Sequence, residues 1–129
     1  MFTLADILEP LTGRRHDNAV MVLSDAVTDS RQAIPASLFV AIPGERVDGH
    51  DYVSSAFRNG ATVAIVQKDI DPTITVLDIR GSLPAVLNIP AAPFAIRVDD
   101  TIASLQKIAG HWRSQLKLHV VGITGSVGK

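Results

Sequence analysis

The chain has 129 residues, of which 47% are hydrophobic and 19% are charged, and its formal net charge is -1. This composition excludes a disordered charged tail, and the charge gives no sign of a nucleic-acid or membrane-surface partner. The lack of cysteine excludes disulfides and thiolate metal sites. Because the apolar runs are too short to span a bilayer and the N-terminus lacks a signal-peptide pattern, we expect a soluble, cytoplasmic protein.

The first part of the chain is predicted to form a short helix, a loop and a strand. Thr3 followed by Asp6 is typical of a capped helix start. The polar run 14–18 predicts a solvated loop, and residues 19–23 have the composition of a strand.

A strand, a helix and a second strand follow. The apolar run 38–42 predicts a strand, and a helix with Tyr52 on its apolar face is predicted between Asp48 and Gly60. The β-branched run 62–66 is typical of a strand covered on both faces. This order predicts a small α/β domain of the βαβ type, with a mixed sheet flanked by helices.

The remaining chain carries two more predicted strands and the longest helix. Residues 74–79 and 95–98 have strand character, whereas three prolines within 82–93 predict a surface loop or an edge hairpin. Asp99 and Asp100 are interpreted as helix caps rather than as a catalytic pair. The apolar stripe of the helix that follows is expected to pack in the core, and it consists of Ile102, Leu105, Ile108, Ala109, Trp112 and Leu116.

A glycine-rich turn, Gly122-Ile-Thr-Gly-Ser-Val-Gly-Lys129, follows an apolar run at the end of the sequence. Successive backbone N–H groups and a lysine in such a turn can hold the phosphates of a nucleotide. Ile123 stands where the full P-loop pattern has its first glycine, so the motif depends on the strand predicted before it.

Two more loops follow predicted strands, at the edge where α/β sheets bind ligands. The loop 28–31 sets a hydroxyl beside a guanidinium, and in the loop 44–50 glycines permit close approach while Arg46 can pair with a phosphate. Each has a purely structural alternative. Asp29 and Ser30 are typical of a turn, Arg46 of a solvated loop, and His50 of a capping or buried hydrogen-bonding residue.

These motifs resemble, in order and spacing, the amino-terminal part of the Mur ligases, ATP-dependent amide-forming enzymes of peptidoglycan synthesis. The resemblance covers nearly all of the chain except about residues 80–93. The final turn, Val98-Asp-Asp-Thr101 and Trp112-Arg113 are most similar to the members that add D-alanyl-D-alanine to UDP-N-acetylmuramoyl-tripeptide. The motifs that carry the resemblance are Asp29-Ser-Arg31, Leu38-Phe-Val-Ala-Ile-Pro-Gly44, Asp48-Gly-His50, Gly60-Ala61 and the glycine turn.

The resemblance implies a substrate domain over residues 1–117 that holds the UDP part of a UDP-N-acetylmuramoyl-peptide. The positions that match these contacts are Thr28, Ser30, Arg31, Glu45, Arg46 and Val47. It further implies that residues 118–129 are the first strand and phosphate loop of a central ATP-binding domain. The matching ATP-phosphate positions are Gly125, Ser126, Val127, Gly128 and Lys129, with Mg²⁺ as the accompanying ion.

No catalytic residue and no metal ligand is assigned within the 129 residues. We therefore expect this polypeptide alone not to catalyse the ligation. Two alternatives stay open: a sibling ligase that adds the third-position amino acid, and a non-catalytic nucleotide-sugar-binding module.

Overall fold

The computed structural model describes residues 2–116. In chain order the helices and strands are α1 (Leu4–Thr12), β1 (Ala26–Val27), β2 (Leu38–Val40), α2 (Val53–Arg58), β3 (Val63–Val66), β4 (Val76–Asp78), β5 (Phe94–Arg97) and α3 (Thr101–Leu116). Short 3-10 helices cover Ser30–Gln32 and Gly49–Tyr52, and the second leads directly into α2.

The five strands form one sheet in the order β1-β2-β3-β5-β4. The α/β class is confirmed, but the expectation of a mixed sheet is wrong because all four strand pairings are parallel. The segment 82–93 forms no antiparallel hairpin, and β4 instead joins the free edge of β5 in parallel register.

The strands β2, β3 and β5 are almost entirely buried on both faces. Because side chains alternate along a strand, Leu38 and Val40 belong to the core under α1 and α3, whereas Phe39 belongs to the core under α2. The α2 core is rich in alanine, which allows the helix to lie close to the sheet. Its alanines are Ala33, Ala41, Ala56, Ala61, Ala64 and Ala95.

The segment 19–23 is extended but does not join the sheet, contrary to the strand prediction. Its carbonyl groups accept hydrogen bonds from the start of α1, with Leu4 N at 2.8 Å from Met21 O and Ala5 N at 2.9 Å from Ala19 O. The first N–H groups of a helix have no hydrogen-bond acceptor within the helix, and this segment supplies acceptors for two of them. The predicted cap is also present, because the Asp6 carboxylate accepts from the Thr3 amide at 2.8 Å.

Hydrogen bonds join the loops 14–18 and 82–93. The prediction of a solvated first loop is confirmed for Arg14, Arg15, Asp17 and Asn18, which are exposed, and is wrong for His16. The Arg14 guanidinium donates to the carbonyls of Pro84 and Ala85, and Asn18 Nδ2 donates to Leu87 O at 2.8 Å. His16 is only 3% exposed. The partners of this polar run lie about 70 positions away in the sequence, where local composition gives no sign of them.

The predicted apolar stripe of the long helix α3 is buried from Leu105 to Trp112 but not in the first turn, and the side chain of Leu116 lies outside the described part of the structure. Asp100 caps it by accepting from Ala103 N at 3.0 Å. Trp112 is buried and stacks on Phe2 with ring centroids 3.5 Å apart. Ile102, in contrast, is 45% exposed and belongs to neither core cluster.

None of the helices within residues 2–116 has the length and hydropathy that crossing a membrane requires.

A glycine-to-alanine substitution at Gly60 is expected to destabilise the fold. Gly60 has φ of +120°, and a Cβ there would lie 2.7 Å from the Pro35 nitrogen. We expect Gly60→Ala to lower the free energy of unfolding by about 2 kcal/mol. The matched control is Gly110→Ala. Gly110 is exposed on α3, and a Cβ there would meet no atom within 4 Å. This substitution should stabilise the helix by about 1 kcal/mol. Urea unfolding measures both, and equal effects would contradict the steric conflict at Gly60.

Stability is expected to depend on pH through His16. Burial lowers the pKa of His16, and the neighbouring Arg14 charge lowers it further. The unfolded chain therefore binds more protons below about pH 6.5, so the free energy of unfolding should fall as pH decreases from there. Urea unfolding at pH 7.5 and 5.0 should show a smaller loss for His16→Gln than for the unmodified chain. An identical loss in both proteins would exclude His16 as the source.

Candidate functional site

A pocket of about 840 Å³ opens beside α2, where β1 and β2 end. This volume lies within the range of about 300–1,000 Å³ that small-molecule sites occupy. The first loop contributes Thr28, Asp29, Ser30 and Arg31 to its lining. Three of these, Thr28, Ser30 and Arg31, are predicted substrate contacts, and the structure therefore brings them together in one cavity.

The second predicted loop contributes only in part. Val47 lines the same pocket together with Ile42, Pro43 and Gly49. Glu45 and Arg46 are exposed at the tip of the loop and do not line the cavity.

A third side of the pocket is not among the sequence predictions. It consists of Tyr52, Ser55, Arg58 and Asn59. The predicted place of Tyr52 on the apolar face of the helix is wrong, because Tyr52 is 42% exposed and lines the cavity. The spacing 52, 55, 58–59 is the helical period and could have identified a second, polar face directed toward the loops.

The Asp-x-Arg sequence in the first loop is a local hydrogen-bonded motif that occurs twice. Asp29 accepts from Arg31 Nε at 3.0 Å and Nη2 at 2.8 Å, and from the Arg31 amide at 2.9 Å. Asp78 makes the same three bonds with Arg80 at 2.9, 2.7 and 3.0 Å. The motif itself is therefore structural, and its position beside the large pocket is what distinguishes Asp29 and Arg31.

In the first loop, the positive charge of Arg31 is paired with the negative charge of Asp29. The Arg31 side chain, together with its amide, lowers the pKa of Asp29 to about 2. Arg31 uses two of its guanidinium nitrogens on this carboxylate. Arg58 donates to Ser55 Oγ at 3.0 Å and has no carboxylate partner among the described residues, so it is the less neutralised of the two arginines in the pocket.

At the end of the second loop, the partly buried Asp48 and the buried His50 form a polar cluster. The Lys68 ammonium and the His50 backbone and side chain hold the pKa of Asp48 well below its usual range. The side chain of His50 is 4% exposed and bonds to Asp48 and to the Gln67 amide. The interpretation of His50 as a buried hydrogen-bonding residue is confirmed.

The predicted phosphate loop, Gly125 to Lys129, lies outside the described residues. Within residues 2–116, no group of three or more histidine, aspartate or glutamate side chains is arranged to hold a metal ion.

The titration of Asp29 should depend on Arg31. In an Arg31→Gln variant we expect the pKa of Asp29 to rise from about 2 toward its ordinary 3.8, without reaching it because the backbone amide still donates. Carboxyl ¹³C shifts recorded against pH measure this change. Arg80→Gln is the matched control, since it should move Asp78 and leave Asp29 unchanged. An unaltered Asp29 titration in Arg31→Gln would refute the pairing.

Comparison with known proteins links this domain to enzymes of peptidoglycan synthesis. The UDP-N-acetylmuramoyl-tripeptide--D-alanyl-D-alanine ligase of Escherichia coli K12 is 32% identical over 127 residues, covering 98% of this chain and 24% of that enzyme. The UDP-N-acetylmuramoyl-L-alanyl-D-glutamate--2,6-diaminopimelate ligase of Caldanaerobacter subterraneus is 32% identical over 130 residues, covering 98% of this chain and 23% of its own. The chain thus spans about a quarter of the length of these relatives.

Structural similarity agrees with the sequence comparisons. A crystal structure of MurF from Acinetobacter baumannii superposes with a TM-score of 0.55 and 27% identity, covering 86% of this chain and 21% of that one. The family model for "Mur ligase family, catalytic domain" matches residues 26–113, which include the five strands and both pocket loops. The chain therefore belongs to the Mur ligase family.

Proposed function

We propose that the pocket beside α2 binds the UDP part of a UDP-N-acetylmuramoyl-peptide. The observation that carries the proposal is that Thr28, Ser30, Arg31 and Val47, which are four of the six predicted substrate contacts and come from two separate loops, line one cavity. Glu45 and Arg46, the other two predicted contacts, stand exposed at the tip of the second loop outside the cavity, so we expect their contribution to UDP binding to be small.

The lining of the pocket suits a nucleoside diphosphate. Tyr52 and Val47 offer apolar surface to a planar base, and Ser30 and Ser55 offer hydroxyl groups to ribose or base oxygens. Arg31 and Arg58 supply positive charge for phosphate, which a guanidinium recognises with two parallel hydrogen bonds. Because Arg31 is held by Asp29, we assign the stronger phosphate contact to Arg58.

The parent activity that we propose is ATP-dependent ligation of D-alanyl-D-alanine to UDP-N-acetylmuramoyl-tripeptide. Its support is the similarity to the Escherichia coli ligase named for that reaction and to the Acinetobacter MurF structure. In this proposal residues 1–117 form the substrate domain and residues 118–129 begin the ATP-binding domain. Gly125 to Lys129 would hold the ATP phosphates, with Mg²⁺ as the accompanying ion.

A sibling reaction, addition of 2,6-diaminopimelate, is the second candidate. The Caldanaerobacter relative named for that reaction and the Escherichia coli ligase are both 32% identical to this chain, and each match covers 98% of it. A full-length protein carrying this domain would distinguish the two when supplied with ATP, Mg²⁺ and either the dipeptide or the tripeptide substrate. Phosphate release dependent on D-alanyl-D-alanine supports the first proposal, and release dependent on diaminopimelate supports the second.

UDP binding by the 129-residue chain is the direct test of the pocket. Isothermal titration calorimetry with UDP, and separately with uridine, should give a measurable dissociation constant for UDP and weaker binding for uridine. Equal binding of the two would show that the arginines do not recognise phosphate. No binding of UDP would contradict the proposed function of this domain.

Arg58, which lines the pocket, and Arg46, which does not, should differ in their importance for UDP binding. We expect Arg58→Gln to weaken UDP binding about fivefold, or roughly 1 kcal/mol, and to leave uridine binding unchanged. Arg46→Gln, the matched control outside the cavity, should weaken UDP binding less than about twofold, as expected for an exposed charge. The reverse order of effects would indicate that the ligand contacts the loop tip rather than the α2 face.

A further inference from the structure

His50 connects the loop that forms one side of the pocket to the end of β3. Its Nδ1 lies 2.7 Å from Asp48 Oδ1, and its Nε2 lies 2.9 Å from the Gln67 backbone nitrogen. Gln67 directly follows β3. The ring therefore spans the distance between the second loop and the neighbouring strand.

These bonds determine where the imidazole proton resides. The Gln67 backbone N–H can only donate, so Nε2 of His50 must present a lone pair to it. A neutral imidazole carries one N–H, which must then be on Nδ1, where it donates to the Asp48 carboxylate. Asp48 also accepts from the His50 amide at 2.9 Å and pairs with Lys68. Each nitrogen of the ring consequently has one specific partner.

The second loop is closed at its base by one backbone hydrogen bond, and separate bonds attach it to the residues that follow β3. Gly49 N donates to Ile42 O at 2.8 Å, and a Cβ on Gly49 would lie 2.7 Å from the Ile42 nitrogen. This closure brings the two ends of the loop together but does not fix its direction relative to the sheet. The bonds of Asp48 to Lys68 and of His50 to Gln67 provide that second attachment.

The attachment lies between two residues that line the pocket. Val47 immediately precedes Asp48, and Tyr52 lies two residues after His50. Val47 is 68% exposed and Tyr52 is 42% exposed, so neither is held in place by burial of its own side chain. Each side chain is carried by backbone next to Asp48 and His50, and at Tyr52 that backbone also continues into α2 at the buried Val53.

We propose that His50 is a positioning residue of the nucleotide pocket, which holds Val47 and Tyr52 in place through an Nδ1–H bond to Asp48 and an Nε2 bond from Gln67. His50 does not line the 840 Å³ cavity, so it acts through the loop and not on the ligand. The proposal rests on the proposed function of the pocket, and it adds a residue whose effect on affinity is indirect.

Three substitutions separate the two bonds. His50→Gln keeps an acceptor for Gln67, His50→Asn keeps a donor for Asp48, and His50→Phe removes both while retaining a ring. We expect His50→Phe to weaken UDP binding about tenfold, the equivalent of about 1.4 kcal/mol, and the two amide variants to weaken it by intermediate factors. His16→Gln is the control, because His16 is also buried but its side chain contacts Thr12 of α1 and not the loops of the pocket, and it should leave the UDP dissociation constant within about twofold.

A purely structural role is distinguished by spectroscopy on the unmodified chain. Long-range ¹H–¹⁵N spectra should show the Nδ1–H tautomer of His50, and a scalar coupling across the hydrogen bond should join Nε2 to the Gln67 amide nitrogen. In His50→Phe the amide shifts of Val47 and Tyr52 should change, whereas His16→Gln should leave them in place. An Nε2–H tautomer, or unchanged Val47 and Tyr52 shifts in His50→Phe, would overturn the proposal.

The outcomes separate this inference from the proposed function. If the unmodified chain binds UDP and His50→Phe binds it equally well, the positioning role is wrong and the pocket function stands. If the unmodified chain does not bind UDP, the pocket function fails. The tautomer and the loop shifts then decide alone whether His50 holds this loop.

Discussion

Burial of three adjacent strands on both faces is the constraint that organises this domain. Because β2, β3 and β5 are covered by α1 and α3 on one side and by α2 on the other, polar side chains of the sheet can be accommodated only where the strands end. Thr28 to Arg31, the loop after β2 and the residues after β3 all lie at that edge. The fold therefore places these polar side chains together at the edge of the sheet where the strands end.

Along that edge, the crevice between β3 and β5 is bridged by a hydrogen-bonded side chain, whereas the space beyond β1 and β2 is open. The segments after β3 and β5 turn to opposite faces, since Ile70 and Ile74 pack in the α2 core whereas α3 packs in the other core. Parallel α/β sheets commonly bind ligands at such a point. Here Gln67 Oε1 bridges it by accepting from Thr101 N at 2.9 Å and Thr101 Oγ1 at 3.0 Å. The larger open space lies instead beyond β1 and β2, and a smaller cavity lies beside residues 68–71.

Sequence reasoning predicted the features that depend on neighbouring residues and missed those that depend on distant ones. The capped start of α1, the doubly covered strand β3 and the buried role of His50 follow from local pattern. The parallel pairing of β4 and the contacts of Arg14 with residues 84 and 85 involve partners far along the chain, which composition does not indicate. The α2 side of the pocket is a different case, because the spacing of residues 52, 55, 58 and 59 does indicate a second helix face. The aromatic residue at position 52 also matches the apolar period, however, and the tertiary structure decides that it lines a cavity.

The central claim is that the pocket beside α2, rather than another part of the surface, receives the nucleotide. The measurement that tests it most directly is an amide chemical-shift map of the 129-residue chain during titration with UDP. We expect shifts concentrated at Thr28 to Arg31, Val47, Tyr52 and Ser55. Shifts confined to the separate cavity of about 460 Å³ around Lys68, Asp69 and Asp71 would contradict the claim, as would no shifts at saturating UDP.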